Sequence, residues 1–441
     1  MVDFDPHQLL HLLSILSFNR ELKRSERLSN DELVDRQDKK LRSLIVYAAE
    51  HVPFYRRYFH ESGLSPQEIR TQDDLETLPI ITKQMMRENP DDFLSDLHKN
   101  YRSREVSTSG STGDSFSFRV GKDSRSAIFA LMWHAWRING YRPYDRWMNF
   151  KGYAFSDGSL MKYSRTTNCI GIPCCAVTDE VAEQIYNALL SFRPKHIMGY
   201  SSFLYDFCNR FKDDQPLRNL GVKQVSTNSE KLFDFQREAI QETFGCRTYN
   251  FYHQAEQVCF IYECEEQVKH LAHEYGVLEV VDSSGKKVDG GKGGMVCTGF
   301  YNRAMPFIRY QMDDLIQVSK NENICSCGRS HLIVESLDGR KLDTVISHAG
   351  NRYNHMDAAF KNKDGLSGMQ IVQNELKSLE IKLVRNRFWD DSMLNALLGD
   401  IERYTNGEFE LNVNFVTEIE KTPNGKQRLV VASLPSSNVA K

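Results

Sequence analysis

The spacing of apolar residues changes character along this chain, and that change limits the fold more than any single motif. Through about residue 100 the spacing is helical: Leu33, Leu41, Leu44, Ile45 and Ala48 share a face until Pro53 ends the pattern. Ser29 followed by Glu32 predicts a capping box at the start of that helix. Further on, a helix capped by Thr178 carries Val181, Ile185, Ala188, Leu189 and Phe192 on one face, and an apolar strand around Ile197–Tyr200 follows. Alternation of this kind predicts an α/β body. From about Tyr275 the pattern becomes that of strands: Val277–Val281, a Ser-Ser-Gly turn, a Gly-rich turn at 290–294, then Met295–Thr298. The last hundred residues predict a small α+β unit. Its strands are Met369–Val372, Leu379–Val384, Val413–Val416 and Leu429–Ala432, with a helix Ser392–Tyr404 ended by Asn406-Gly407. The boundary falls near Leu337–Asp343.

At 441 residues the chain is too long for one ordinary core, so at least two domains are expected. A net charge of −3 and 26% charged residues give no sign of a nucleic-acid or membrane-surface binder. No apolar run reaches the ~18 residues of a spanning helix. The opening Met-Val-Asp-Phe-Asp is acidic where a signal peptide is basic, and ten cysteines in so long a chain do not make a disulfide framework. Both point to a reducing, cytoplasmic setting.

Several short segments can carry chemistry. In the loop Ser107–Gly113, with Thr108, Ser109, Gly110, Ser111, Thr112 and Gly113, backbone N–H groups can converge on one anion while hydroxyls add donors. The Gly-Lys-Ser/Thr ending of a Walker loop is missing, and the same stretch also suits a flexible connector. Strand-like Phe116, Phe118 and Val120 follow it. In Tyr252-His253-Gln254-Ala255-Glu256, Glu256 can hold Mg²⁺ beside an aromatic ring, or be a plain surface acid. In Met305–Asp314, Asp314 can accept both hydroxyls of a ribose diol, or serve a turn. Arg340, after Gly339 at the proposed boundary, can reach a nucleotide from a hinge or sit on a surface turn. In Thr422–Lys426, Asn424-Gly425 sets a hairpin tip that projects Lys426 into a site or into solvent.

Cys264 and His270, with Cys325 and Cys327, form a Cys₃His set suited to tetrahedral Zn²⁺. His273 can replace His270 as the fourth ligand, and buried free thiols are the alternative. With no open position such a zinc is structural.

Taken in order, these segments resemble the adenylate-forming superfamily, and within it the phenylacetate–CoA ligase and capsular polysaccharide biosynthesis (CapK) branch. The likeness runs through Gln37…Leu41…Ala48…Val52-Pro53-Phe54-Tyr55, Leu78-Pro79-Ile80…Lys83 and Thr108–Gly113. It continues through Gly199-Tyr200-Ser201-Ser202, Ser229-Glu230, Tyr252–Glu256, Pro306–Tyr310 with Asp314, Gly339-Arg340 and Gly425-Lys426. It implies an α/β fold: a large N-terminal domain of mixed sheets and helices over 1–338, and a small α+β lid over 339–441. Within the first, 1–100 is helical and 259–330 is β-rich and zinc-stapled. The branch carries a comparable Cys₃His set followed by Cys-Gly-Arg.

The resemblance further implies that Thr108–Gly113 holds the phosphates of ATP and that Ser229 and Glu230 belong to the nucleotide site. Glu256 positions Mg²⁺, Tyr252 lies near adenine and acyl group, and Asp314 binds the ribose with help from Arg340. Lys426 meets the substrate carboxylate and α-phosphate as pyrophosphate leaves. A small carboxylic acid would then pass to CoA, a carrier-protein thiol or an amine; a silent nucleotide-binding scaffold is the non-enzymatic alternative. His253, Asp313 and Leu342 depart from the family's pattern, the last at its acidic hinge position. Aromatics at Phe150–Phe155, Tyr200 and Tyr252 either line the acyl site or serve the core.

Overall fold

A computed structural model describes residues 6–108, 116–142, 144–151, 155, 157–173, 179–212, 214–319, 325–340, 345–353, 356, 365–421, 427–432 and 434. Contacts divide the chain into two units, 1–139 with 251–337, and 140–250 with 338–441.

In the first unit the helix Asn30–His51 begins at the Ser29–Glu32 capping box, the Ser29 hydroxyl accepting from the Glu32 N–H and the Glu32 carboxylate from the Ser29 N–H. Such caps contribute about 1 kcal/mol. Leu33, Leu41, Leu44, Ile45 and Ala48 form its buried stripe. Pro53 ends one helix and begins the next, Pro53–Ser62, because the first position of a helix has no use for the missing N–H. The helices Pro6–Ser25 and Lys122–Ile138 pack together.

The sheet of this unit runs in the order Gly276–Val281, Gly291–Gly299, Tyr310–Val318, Ile333–Arg340, Lys269–Leu271, Phe260–Glu263 and the end of Arg247–His253. Gly291–Gly294 belong to a strand rather than to the expected Gly-rich turn. The turn ends at Gly290, and a Cβ on Gly293 would come within 2.5 Å of the Val281 carbonyl, so the glycine serves close strand packing. A bulge follows: Met312–Asp314 oppose only Met295.

In the second unit Gln224–Asn228, His196–Gly199, Trp147–Lys151 and Cys169–Pro173 are adjacent parallel strands, and Lys162–Ser164 pairs antiparallel at the edge. Helices Asp179–Phe192, Ser201–Arg210 and Asp234–Phe244 bury Ile185, Leu189, Phe203, Leu204 and Ile240 in the same core as these strands. Thr178, the expected cap of Asp179–Phe192, lies outside the described residues. Phe150 and Tyr200 are part of that core, Phe150 packing on Phe203 with centroids 4.9 Å apart.

The C-terminal stretch forms a four-stranded sheet in the order Glu410–Phe415, Ser378–Arg385, Leu366–Glu375 and Val430–Ala432. The helix Ser392–Tyr404 has the expected bounds and buries Leu397 and Ile401 in the core that this sheet shares with Tyr205 and Phe235. Left-handed Asn406 and Gly407 end it, the Gly407 N–H reaching back to the Glu402 carbonyl.

Candidate active site and candidate metal centre

The strand Arg247–His253 delivers Tyr252, and the turn after it, with Gln257 at φ 58°, delivers Glu256. The strand Tyr310–Val318 delivers Tyr310 and Asp314. These motifs cross-link reciprocally. The Tyr252 hydroxyl donates to Asp314 Oδ2 at 2.5 Å, and the Tyr310 hydroxyl donates to Glu256 Oε1 at 3.4 Å. Burial, and then the charge of Asp314, push the Tyr252 phenol well above its ordinary range; burial and Glu256 do the same to Tyr310. Both phenols therefore remain donors to these carboxylates. The bulge at Met312–Asp314 leaves Asp314 half-buried beside Tyr252 while the neighbouring Asp313 is exposed. His253 stacks in a row with Phe251 and Phe260.

Arg309 had no role from sequence beyond its place in the motif. Its guanidinium is 4% exposed and donates to both oxygens of Glu279, at 3.1 and 2.7 Å. It also donates to the carbonyls of Leu78, at 2.6 Å, and Glu76, at 3.3 Å. The backbone at Arg309 is left-handed, φ 48°, and its carbonyl accepts from Ile81 N–H while Ile81 in turn accepts from Gln311. Leu78–Ile81 and Pro306–Asp314 are thereby fastened together. The available signal was a charge inside each of two apolar runs, Phe307–Tyr310 and Val277–Val281.

In the second unit, Gly199–Ser202 and Ser229–Glu230 follow the carboxyl ends of adjacent parallel strands, the end where such sheets bind ligands. A Cβ on Gly199 would lie 3.0 Å from Phe150 Cβ, so only glycine fits there without a shift. Ser229 is left-handed, φ 67°. Glu230 Oε2 accepts from Ser202 N–H at 3.0 Å and Ser201 Oγ at 3.3 Å, and Glu230 Oε1 accepts from Gln427 N–H at 3.1 Å. Ser109, Gly110, Ser111, Thr112, Gly113, Leu342 and Lys426 lie outside the described residues. Thr108 ends the strand Arg104–Thr108, which pairs with Phe116–Val120, and Arg340 ends Ile333–Arg340.

The four metal candidates come together. Cys264 opens a tight turn in which its N–H donates to Val268 O, and His270 lies on the strand beyond. Cys325 and Cys327 flank a knuckle closed by Gly328, φ 76°. The donor atoms all lie within 4.8 Å of one another; Cys264 Sγ is 3.8 Å from Cys325 Sγ, and Cys327 Sγ is 3.5 Å from His270 Nε2. A tetrahedron with zinc–sulfur bonds of ~2.3 Å has edges of ~3.8 Å, so the set fits the ion. His270 Nδ1 lies 3.1 Å from the His331 carbonyl, and donating there leaves Nε2 as the ligand. His273 is not in the group; its ring packs against His331. Burial pushes the Cys264 thiol up to about 12, so thiolates here call for a cation. Arg329, just past the knuckle, pairs with Glu265 at 2.6 Å and Glu26 at 3.6 Å, tying the centre to the end of the helix Pro6–Ser25.

The CapK C-terminal domain family matches residues 345–433. A phenylacetate–coenzyme A ligase from Thermus thermophilus is 27% identical over 335 residues, 74% of this chain and 75% of that protein. Protein CapK from Staphylococcus aureus is 23% identical over 417 residues, 92% and 90% of the two chains. The solved 2-hydroxyisobutyryl-CoA ligase, in its postadenylation state with 2-HIB-AMP, matches with a TM-score of 0.75 at 20% identity over 93% of this chain and 92% of that one. No described helix is long and apolar enough to cross a membrane. The ordered motifs and these relatives agree: the chain is similar to the adenylate-forming ligases of the branch that holds the phenylacetate–CoA ligases and CapK.

Proposed function

We propose that this protein activates a carboxylic acid with ATP, forming acyl-adenylate and pyrophosphate, and then passes the acyl group to the thiol of CoA. The observation that carries the reading is the reciprocal pairing in which Tyr252 holds Asp314 and Tyr310 holds Glu256. One motif thereby orients the other's carboxylate, as a site built for a ribose diol and a metal-bound phosphate requires.

In this reading Asp314 accepts the ribose hydroxyls with Arg340 assisting, and Tyr252 borders the adenine and acyl sites. Glu256 holds Mg²⁺, which supplies charge to the phosphates. Thr108–Gly113 cradle those phosphates through backbone N–H groups and hydroxyls, and Ser229 with the backbone of Glu230 completes the nucleotide set. A substrate carboxylate oxygen attacks the α-phosphorus as the bond to pyrophosphate breaks. Lys426 stabilises the charge that shifts onto the bridging oxygen. The acid is itself the nucleophile, so the chain need supply none. The domain boundary that suits this chemistry puts the nucleotide body in 1–338 and the lid in 339–441. Zn²⁺ on Cys264, His270, Cys325 and Cys327 is a structural staple with no part in the reaction.

A second reading concerns the acceptor. The C-terminal run matches the CapK C-terminal domain, and Leu342 replaces the acidic residue of the family's hinge. The loss of the acidic hinge residue favours CoA-independent transfer to an amine, as in surface-polysaccharide or natural-product biosynthesis. ATP–pyrophosphate exchange over aryl, short-chain and amino acids, beginning with phenylacetate, tests the first step. Exchange is expected with some acid and should be lost in Lys426→Ala; exchange that survives this substitution would sink the mechanism. Product analysis with and without CoA decides the acceptor.

A further inference from the structure

Resting on the proposed adenylation, one feature of the second unit goes further. The nucleotide set assigned from resemblance includes Glu230, yet its carboxylate is engaged by the protein itself. One oxygen caps the N-terminus of the ten-residue helix Ser201–Arg210, taking the Ser202 N–H and the Ser201 hydroxyl. That is where backbone N–H groups lack partners and the helix dipole favours an anion. The other oxygen takes the N–H of the peptide unit that joins Lys426 to Gln427. Lys421 and Gln427 form an antiparallel bridge around 422–426, so Gln427 is the root of the segment that carries the lysine.

The surroundings support a lasting contact. The Gln427 side chain donates to the Met369 carbonyl at 2.9 Å, seating this root on the C-terminal sheet. Tyr205 and Phe235, from the two helices flanking Ser229–Lys231, are buried in the core of the C-terminal sheet. Glu230 therefore joins the end of a rigid parallel strand to the base of the Lys426 segment by a single side chain.

We propose that Glu230 is a catch: a positioning residue that fixes the root of the Lys426 segment for the adenylation step by capping one helix and gripping Gln427 N–H at once. Its contribution is expected in the rate of adenylation rather than in the affinity for ATP.

The test compares the full chain with its Glu230→Ala and Glu230→Gln variants in two measurements. Amide hydrogen exchange over residues 427–432, without substrate, should quicken about tenfold or more in Glu230→Ala and by less in Glu230→Gln, which keeps one acceptor oxygen. The melting temperature should move by only a few degrees. In pyrophosphate exchange, Glu230→Ala should lower kcat about tenfold with the KM for ATP within about twofold, and Glu230→Gln should recover part of the loss. Unchanged amide exchange at 427–432 overturns the proposal. So does a raised KM for ATP with kcat intact, which would make Glu230 a nucleotide ligand. If the wild-type chain supports exchange with no acid, the adenylation reading fails, while the amide measurement still decides on the catch.

Discussion

Replacing Arg309 by Met should be among the most destabilising changes available in the first unit. Glu279 is 2% exposed and its carboxylate receives two of the four hydrogen bonds from the Arg309 guanidinium. Burial raises the pKa of Glu279 above its ordinary value even with Arg309 present, so desolvation already weighs against the charge. Removing the cation leaves a buried, uncompensated acid, a loss of ~3–5 kcal/mol. For a unit of this size that is a fall in melting temperature of roughly 6–20 °C. The second substitution Glu279→Leu, added to Arg309→Met, removes the orphaned charge and should recover at least about 2 kcal/mol. Recovery should stay incomplete, because the Leu78 and Glu76 carbonyls still lack their donor at a cost of ~1–3 kcal/mol. Urea unfolding and calorimetry of wild type, both single variants and the double variant give the full cycle. A single Arg309→Met variant within about 1 kcal/mol of wild type, or a double variant no more stable than that single one, would refute the reasoning.

Three further outcomes are expected. The purified chain should carry close to one zinc by elemental analysis, and Cys264→Ser should lose the ion together with several degrees of melting temperature. Full stability with no metal bound would remove the staple. Tyr252→Phe deletes the hydroxyl that orients Asp314 and should raise the KM for ATP about tenfold with a smaller change in kcat; an unaltered KM would detach Tyr252 from the nucleotide site. The third concerns acid. Burial lowers the pKa of His134 and of His196 to about 3, so below pH ~6.5 the unfolded chain binds two protons that the folded chain refuses. Their contribution to stability is complete above that pH and is lost as the pH falls toward 3. His196→Gln should flatten the loss between pH 6.5 and 5 by up to ~1.4 kcal/mol per pH unit, and a slope equal to wild type would contradict this.

Some of this molecule is written in neighbouring residues. Ser29 and Glu32 can cap a helix because they sit three positions apart, and Pro53 separates two helices by its own missing N–H. The helix Ser392–Tyr404 ends where Asn406 and Gly407 permit a left-handed turn. These are local effects, so spacing alone determined them, and ordered short motifs were enough to suggest the family. Tertiary structure decided what depends on residues brought together from distant parts of the chain. Gly291–Gly294 looked like a turn until the Val281 carbonyl gave Gly293 a neighbour that leaves no room for a side chain. Between His270 and His273, three positions apart, only packing selects the one whose ring faces the three cysteines. The exchange of tyrosine hydroxyls between Glu256 and Asp314, and the Arg309–Glu279 pair, join segments tens of residues or more apart. Hydrogen bonds of that kind have no period in a sequence, because their partners are chosen by where the strands end and not by how far apart they are numbered.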